Sequence, residues 1–218
     1  MNLISCENVA LGYGSRVVVE NLSFAVNAGD FLCVVGENGA GKSTLVKTLL
    51  NLQKPLRGTI KFNVTAGEVG YLSQQTQIQS DFPASVEEIV LSGRLTPKKF
   101  FFTAEDKAIC ARNLELLKIL PLAKKCFREL SGGQQRRVLL ARALCAASKI
   151  LILDEPVANL DQKSAENFYD IVSELNLRLG LTIIMVSHDL NASIPHATHV
   201  LRLGNEIFFG KREDFGNV

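Results

Sequence analysis

The run Gly36-Glu37-Asn38-Gly39-Ala40-Gly41-Lys42-Ser43-Thr44 constrains this chain more than any other stretch, because it fits G-x-x-x-x-G-K-[ST] between a predicted strand and a predicted helix. The apolar run Phe31-Leu32-Cys33-Val34-Val35 before it reads as a buried strand, and Thr44-Leu45-Val46-Lys47-Thr48-Leu49-Leu50 after it reads as a helix. Glycines at 36, 39 and 41 permit turns that a Cβ would obstruct, so successive N–H groups and a helix N-terminus converge on one anion. In that setting the Lys42 ammonium reaches β- and γ-phosphates and the Ser43 hydroxyl sits on Mg²⁺. The expectation is an α/β protein with a P-loop NTPase core.

The remaining pattern builds around that unit. Residues 2 to 25 read as an N-terminal antiparallel β lobe, with Gly12-Tyr13-Gly14 as a turn between Ile4–Leu11 and Val17–Val19. Gly58–Phe62 and Glu68–Leu72 read as further strands, the second ending at Ser73-Gln74-Gln75. From about residue 76 to 147 the pattern is helical. Ser85 with Glu88, Thr103 with Asp106, and Ser131 with Gln134 each give a helix start of capping-box form. The second of these helices repeats Ile109, Leu116, Leu117 and Leu120 before Pro121 stops it. Ile150–Leu153 is a continuous apolar run ending in Asp154-Glu155, as a buried parallel strand delivering two acids to its C-terminal edge. A helix Lys163–Leu179 closed by Gly180, a strand Leu181–Ser187 ending at His188, and a hairpin about Gly204-Asn205 complete the chain. The expected organisation is one domain over 1–218. Residues 1–75 and 148–218 form an ATP-binding core with a mixed sheet, and 76–147 an inserted helical subdomain.

Composition narrows the function classes. With 218 residues, 47% of them hydrophobic, the chain can build one large core. Net charge is +2, and the basic pairs Lys98-Lys99, Lys124-Lys125 and Arg136-Arg137 are scattered among acids, so they read as solvated surface and no nucleic-acid partner is expected. Five cysteines, at 6, 33, 110, 126 and 145, show no C-x-x-C spacing and read as reduced structural thiols. The N-terminus has no charged segment followed by an apolar one, so no signal peptide is expected. Apolar runs such as Ile183–Val186 fall far short of the roughly 20 residues that span a bilayer. His196 and His199 lack a third ligand and read as structural.

Three further groups carry chemistry. Asp154 and Glu155 at a strand end are as compatible with solvation as with catalysis when taken alone; beside a phosphate loop they suit a Mg²⁺ acid and a residue polarising the attacking water. His188 follows a buried strand; a lone histidine is more often structural, yet at this strand end it would face the same crevice and could reach a γ-phosphate. Ser131-Gly132-Gly133-Gln134 opens a helix with two glycines in its first turn, which costs roughly 1 kcal/mol per residue relative to alanine. Bare N–H groups on a helix N-terminus there amount to a second anion site.

The string Leu130-Ser131-Gly132-Gly133-Gln134 resembles the signature of ATP-binding-cassette (ABC) ATPases. The resemblance covers nearly the whole chain and implies roles position by position. Tyr13 is similar to the aromatic residue that stacks on adenine, with Val18 beside the ribose, although a hairpin tyrosine is its plainer reading. Gly36, Glu37, Asn38, Gly39, Ala40, Gly41, Lys42, Ser43 and Thr44 would hold ATP. Gln74 resembles the Q-loop glutamine, Asp154 the Mg²⁺ acid, Glu155 the catalytic base, Asp161 a residue of the D-loop, and His188 the switch histidine. Catalysis would rest on Glu155, His188, Gln74 and Lys42, with ATP and Mg²⁺ as cofactors and Mg²⁺ held through Ser43, Gln74 and Asp154. Val157 departs from the pattern, where Thr usually follows Asp-Glu-Pro. Such cassettes close as head-to-tail homodimers on two ATP, so Ser131, Gly132, Gly133 and Gln134 would act in trans. The segment from Asp81 to Arg94 is similar to the helical-domain segment of cassettes serving zinc and manganese importers. The implied protein is peripheral on the cytoplasmic face of the membrane, works with separate transmembrane permease subunits, and meets an extracytoplasmic solute-binding protein only indirectly. An exporter ATPase, or an ABC protein of DNA or translation systems, is the alternative. About 90 residues between Lys42 and Ser131 leave no room for the coiled-coil arm of the latter.

Overall fold

The computed structural model describes residues 1–74, 83–95 and 101–216. The element that sets the arrangement is β3 (Phe31–Gly36), whose residues are buried on both faces. Phe31, Cys33 and Val35 point into one apolar cluster, and Leu32 and Val34 into another. A strand sandwiched in this way needs a continuous apolar run, which is what its sequence supplies. β6 (Ile150–Asp154) and β7 (Thr182–Val186) divide their side chains between the same two clusters. With β5 (Val69–Leu72), β8 (His199–Leu203) and β9 (Phe208–Lys211) they form a six-stranded sheet ordered β5-β6-β7-β3-β8-β9. The first five strands run parallel and β9 is antiparallel to β8. The sheet is therefore mixed.

One face of this sheet is covered by α1 (Lys42–Leu49) and by a second sheet. That sheet is antiparallel, ordered β2-β1-β4, from β1 (Asn2–Tyr13), β2 (Arg16–Asn27) and β4 (Arg57–Phe62). Leu45, Val46 and Leu49 of α1 join Leu3, Val9, Leu22 and Val26 of the lobe in one cluster. At about 1.5–3 kcal/mol per fully buried side chain, this layer fixes α1, and the loop before it, against the end of β3. The other face carries α5 (Gln162–Leu179) together with α2 (Val86–Leu91), α3 (Ala104–Leu116) and α4 (Gly132–Ala146). Helices α2, α3 and α4 pack on one another and α4 also packs on β5, all of them lying between β5 and β6 in the chain.

Local chemistry explains the helix ends. Ser85, Thr103 and Ser131 each accept from the N–H three residues on, and the residue there returns a bond to the cap N–H. Three details differ from the sequence reading. The first turn is Gly14-Ser15, because Gly12 and Tyr13 still pair with Val17 and Arg16. Helix α3 ends at Leu116, before Pro121: Lys118 takes a left-handed φ of 58°, and Ile119 N–H returns to Leu114 O at 2.8 Å. Its buried stripe is Asp106, Cys110 and Leu114, followed by Leu117, while Leu116 and Leu120 face solvent. Arg136 is also not solvated surface but 8% exposed. Gln75, Asp81, Phe82, Lys98 and Lys99 lie outside the described residues.

Candidate nucleotide site

In a parallel sheet, strands deliver their following residues to one edge, and ligands bind in the crevice there. The C-terminal ends of β3, β5, β6 and β7 bring the Lys42 loop, Gln74, the Asp154-Glu155 pair and His188 to that edge. The loop can turn as it does only with glycine. Gly41 has φ 97°, and a Cβ there would lie 2.5 Å from Val19 Cγ2. Gly36, at φ 151°, would place a Cβ 2.4 Å from Leu203 O. No side chain caps α1, and its first turn holds no acid, so the first N–H groups of the helix are left for another acceptor. Lys42 is buried and bends back, donating from Nζ to Gly36 O at 2.6 Å and to Glu37 O at 2.9 Å.

A cleft of 380 Å³ opens above the loop, lined by Tyr13, Arg16, Val18, Asn38, Gly39, Gly41, Lys42, Ser43, Thr44, Gln74 and Glu155. Tyr13, half exposed at the end of β1, accepts from Thr44 Oγ1 at 3.3 Å and lies under Lys47. Its ring is thus held at the mouth of the cleft. Gln74 Nε2 donates to Glu155 Oε2 at 2.6 Å, and His188 Nδ1 stands 3.6 Å from the same oxygen. Asp154 is buried, with the Tyr71 hydroxyl donating to Oδ2 at 3.4 Å. Burial raises its carboxyl above the usual range, and the neighbouring Glu155 charge adds to this against the opposing pull of Tyr71, Lys42 and Arg136. Two carboxylates beside one another favour a cation.

Ser131, Gly132, Gly133 and Gln134 do not line this cleft. They form the first turn of α4, where Gly132 approaches Leu160 and Gly133 approaches Ser164. Asp161 is the exposed N-cap of α5, accepting from Ser164 N at 3.0 Å and Ser164 Oγ at 2.6 Å. The sequence reading therefore divides in space. The loop, Gln74, Glu155 and His188 meet, while residues 131–134 sit with 160–164 on a different surface.

Two residues near the acids escaped that reading. In sequence Tyr71 is one residue of an apolar strand; in the fold, burial and then the Asp154 charge push its hydroxyl up to about 12. Arg136 donates to the main-chain carbonyls of Glu155 at 2.9 Å, Pro156, and Ser73 at 3.4 Å. Burial brings its guanidinium down to about 10, with the Asp154 charge opposing. A signal for Arg136 did exist: it lies four residues before Leu140 and seven before Ala143, on the buried stripe of α4.

Residues 19–158 match the protein-family model described as ABC transporter. The zinc uptake system ATP-binding protein ZurA of Listeria innocua is 36% identical, the alignment covering 95% of this chain and 84% of that protein. The high-affinity zinc uptake system ATP-binding protein ZnuC of Bacillus subtilis is 34% identical over 93% of this chain and 91% of its own length. Among solved structures, a nucleotide-free ATP-binding cassette from an ABC transporter superposes with a TM-score of 0.88 at 26% identity, over all of this chain and 95% of the other. A transporter described as metal-chelate type, in an inward-facing conformation, gives 0.89 at 30% identity over 98% of this chain and 85% of the other.

Proposed function

The chain belongs to the ABC transporter family of ATPases, and we propose that it is the ATP-hydrolysing subunit of an importer of a divalent transition metal, zinc ahead of manganese. The observation that carries the ATPase reading is the Glu155 carboxylate at the edge of the Lys42 cleft, within 2.6 Å of the Gln74 amide and 3.6 Å of His188. ATP would lie with its phosphates on the 36–44 loop, where Lys42 exchanges the Gly36 and Glu37 carbonyls for β- and γ-phosphate oxygens, and with its base against Tyr13 and its ribose near Val18. Glu155 then orients a water and accepts its proton as the water oxygen attacks the γ-phosphorus and ADP departs. His188 and Gln74 keep that carboxylate aimed into the cleft.

The residues at hand suit Mg²⁺. Ser43 is exposed at the loop, Asp154 and Gln74 bring further oxygens, and all are hard ligands. Burial, and after it the Glu155 charge, raise the Asp154 carboxyl, and a cation at this site would offset both by favouring the ionised form. When bound with ATP, Mg²⁺ supplies charge neutralisation on the β- and γ-phosphates.

Residues 131–134 support a head-to-tail homodimer closing on two ATP, because the capping box takes up the Ser131 and Gln134 N–H groups but not those of Gly132 and Gly133, and the segment lies away from the cleft of its own chain. No described helix is long and apolar enough to cross a membrane, which fits a subunit that works on separate transmembrane permease subunits at the cytoplasmic face. An extracytoplasmic solute-binding protein would act on it only through them, and nucleic acid has no part. The names of ZurA and ZnuC support zinc as cargo. Val157 packs against the main apolar cluster and takes no part in the chemistry. The reading is tested by reconstituting the chain with a candidate permease in vesicles. Zinc-loaded binding protein should stimulate ATP turnover more than unloaded or manganese-loaded protein. Equal turnover in all three conditions would contradict the cargo assignment.

A further inference from the structure

We propose that Arg136 is a positioning residue for ATP hydrolysis: from α4 its guanidinium holds the main-chain carbonyls of Glu155, Pro156 and Ser73, and so fixes where the Glu155 carboxylate points. The proposal rests on Glu155 acting as the base.

Placing a guanidinium at 8% exposure is unfavourable unless its donors are met. Here NH2 donates to Glu155 O at 2.9 Å, NH1 to Ser73 O at 3.4 Å, and Nε to Pro156 O. These carbonyls belong to the two segments that carry the reacting pair, the turn after β6 and the stretch after β5. A planar fork with five N–H groups can span them, whereas a lysine ammonium is a single point at the end of a flexible stem. The charge also sits close enough to Asp154 to be felt by it.

The backbone of Glu155 shows why such a clamp is needed. Its φ is 43°, in the left-handed region that a side chain with a Cβ adopts only under constraint. Glu155 N–H is held by Val186 O at 3.0 Å, from the neighbouring strand. The carbonyl is held by Arg136 and, less closely, by Ala158 N–H at 3.3 Å within the same turn. Arg136 is thus the link from outside the turn that pins the second end of the strained residue. Ser73 immediately precedes Gln74, whose amide holds the Glu155 carboxylate, so the same guanidinium steadies the main chain on both sides of that hydrogen bond. Removing it frees Glu155 to relax toward negative φ, which swings the carboxylate while leaving the Lys42 loop untouched.

The test is a double-mutant cycle on the full chain, read by single-turnover hydrolysis and by equilibrium titration with MgATP. Arg136→Ala should slow hydrolysis by about 100-fold, the scale of an ångström-level misplacement. ATP affinity should stay within about threefold, as for the loss of an interaction made only in the transition state. Arg136→Lys should recover part of the rate. In a Glu155→Gln background, Arg136→Ala should slow the reaction by less than about threefold more, since groups acting as one unit are not additive. Equal slowing in both backgrounds, or wild-type rate in folded Arg136→Ala, would overturn the proposal. Should Arg136→Ala fail to melt cooperatively, Arg136→Met keeps the aliphatic stem and is read by the same criteria. Glu155→Gln at wild-type rate would overturn the base assignment, and the positioning role with it. Slow Glu155→Gln beside an unaffected Arg136→Ala would overturn the positioning role alone.

Discussion

Lys42→Met keeps the aliphatic stem that packs in the loop and removes the ammonium. Without nucleotide, Nζ is engaged by Gly36 O at 2.6 Å and Glu37 O at 2.9 Å, so incoming phosphates take over donors already in use. A unit of phosphate charge about 4 Å from Nζ is attracted by about 4 kcal/mol at an effective dielectric of about 20. Releasing the two carbonyls offsets about 3 kcal/mol of this, at the lower end of about 1.5 kcal/mol for each bond to a charged group. The remaining ~1 kcal/mol is roughly a fivefold loss of affinity at about 1.4 kcal/mol per factor of ten. Isothermal titration of Lys42→Met with MgATP should show a loss of that order, with turnover close to background. The melting midpoint without nucleotide should fall only slightly, because the two freed carbonyls lie beside exposed residues of the loop. ATP affinity within about threefold of wild type together with wild-type turnover would refute the assignment of this loop.

Other expectations follow from the same geometry. Ser131→Arg should leave ATP binding to the isolated chain nearly intact while blocking dimer closure and hydrolysis; loss of ATP binding by the monomer in an equilibrium titration would place residues 131–134 in their own chain's site. The Glu68 carboxyl is held down to about 2 from 4.5, chiefly by Lys149 at 2.8 Å and then by the Thr65 N–H. A depressed carboxylate contributes stability above its unfolded value, and that contribution is lost as pH falls through the folded value. Glu68→Gln should therefore melt below wild type at neutral pH, and the gap should hold down to about pH 4.5 and close toward about pH 2. A gap independent of pH would show that the charge plays no part.

What could be read in advance was what is local. The 36–44 loop between β3 and α1 is a short motif whose glycines, lysine and flanking elements are adjacent in sequence, and the capping boxes at Ser85, Thr103 and Ser131 need only residues three apart. β6 was legible because a strand buried on both faces has no polar alternation to confuse it. What could not be read depends on tertiary partners. Tyr13 belongs to the strand because it pairs with Arg16, while glycines on either side of it mimic a turn. The solvent-facing Leu116 and Leu120 share hydrophobicity with the buried Leu114 and Leu117, and only packing against α2 and α4 separates them. Arg136 looked like one half of a solvated pair because charge is normally a surface property. Its burial follows from carbonyls supplied by two distant segments. The left-handed φ of Glu155 is likewise not legible locally, since beside the Ala158 N–H of its own turn its supports come from β7 and α4.

The most direct test of the account is single-turnover hydrolysis by Glu155→Gln, measured beside its light scattering in MgATP. A positioned general base is worth about 10²–10⁴ in rate, so the variant should bind ATP with unchanged affinity and hydrolyse it slower by that factor. Its unspent ATP should hold two chains together as a dimer. Turnover near wild type from a species that stays monomeric in MgATP would contradict the reading of Glu155, and with it the site built around that carboxylate.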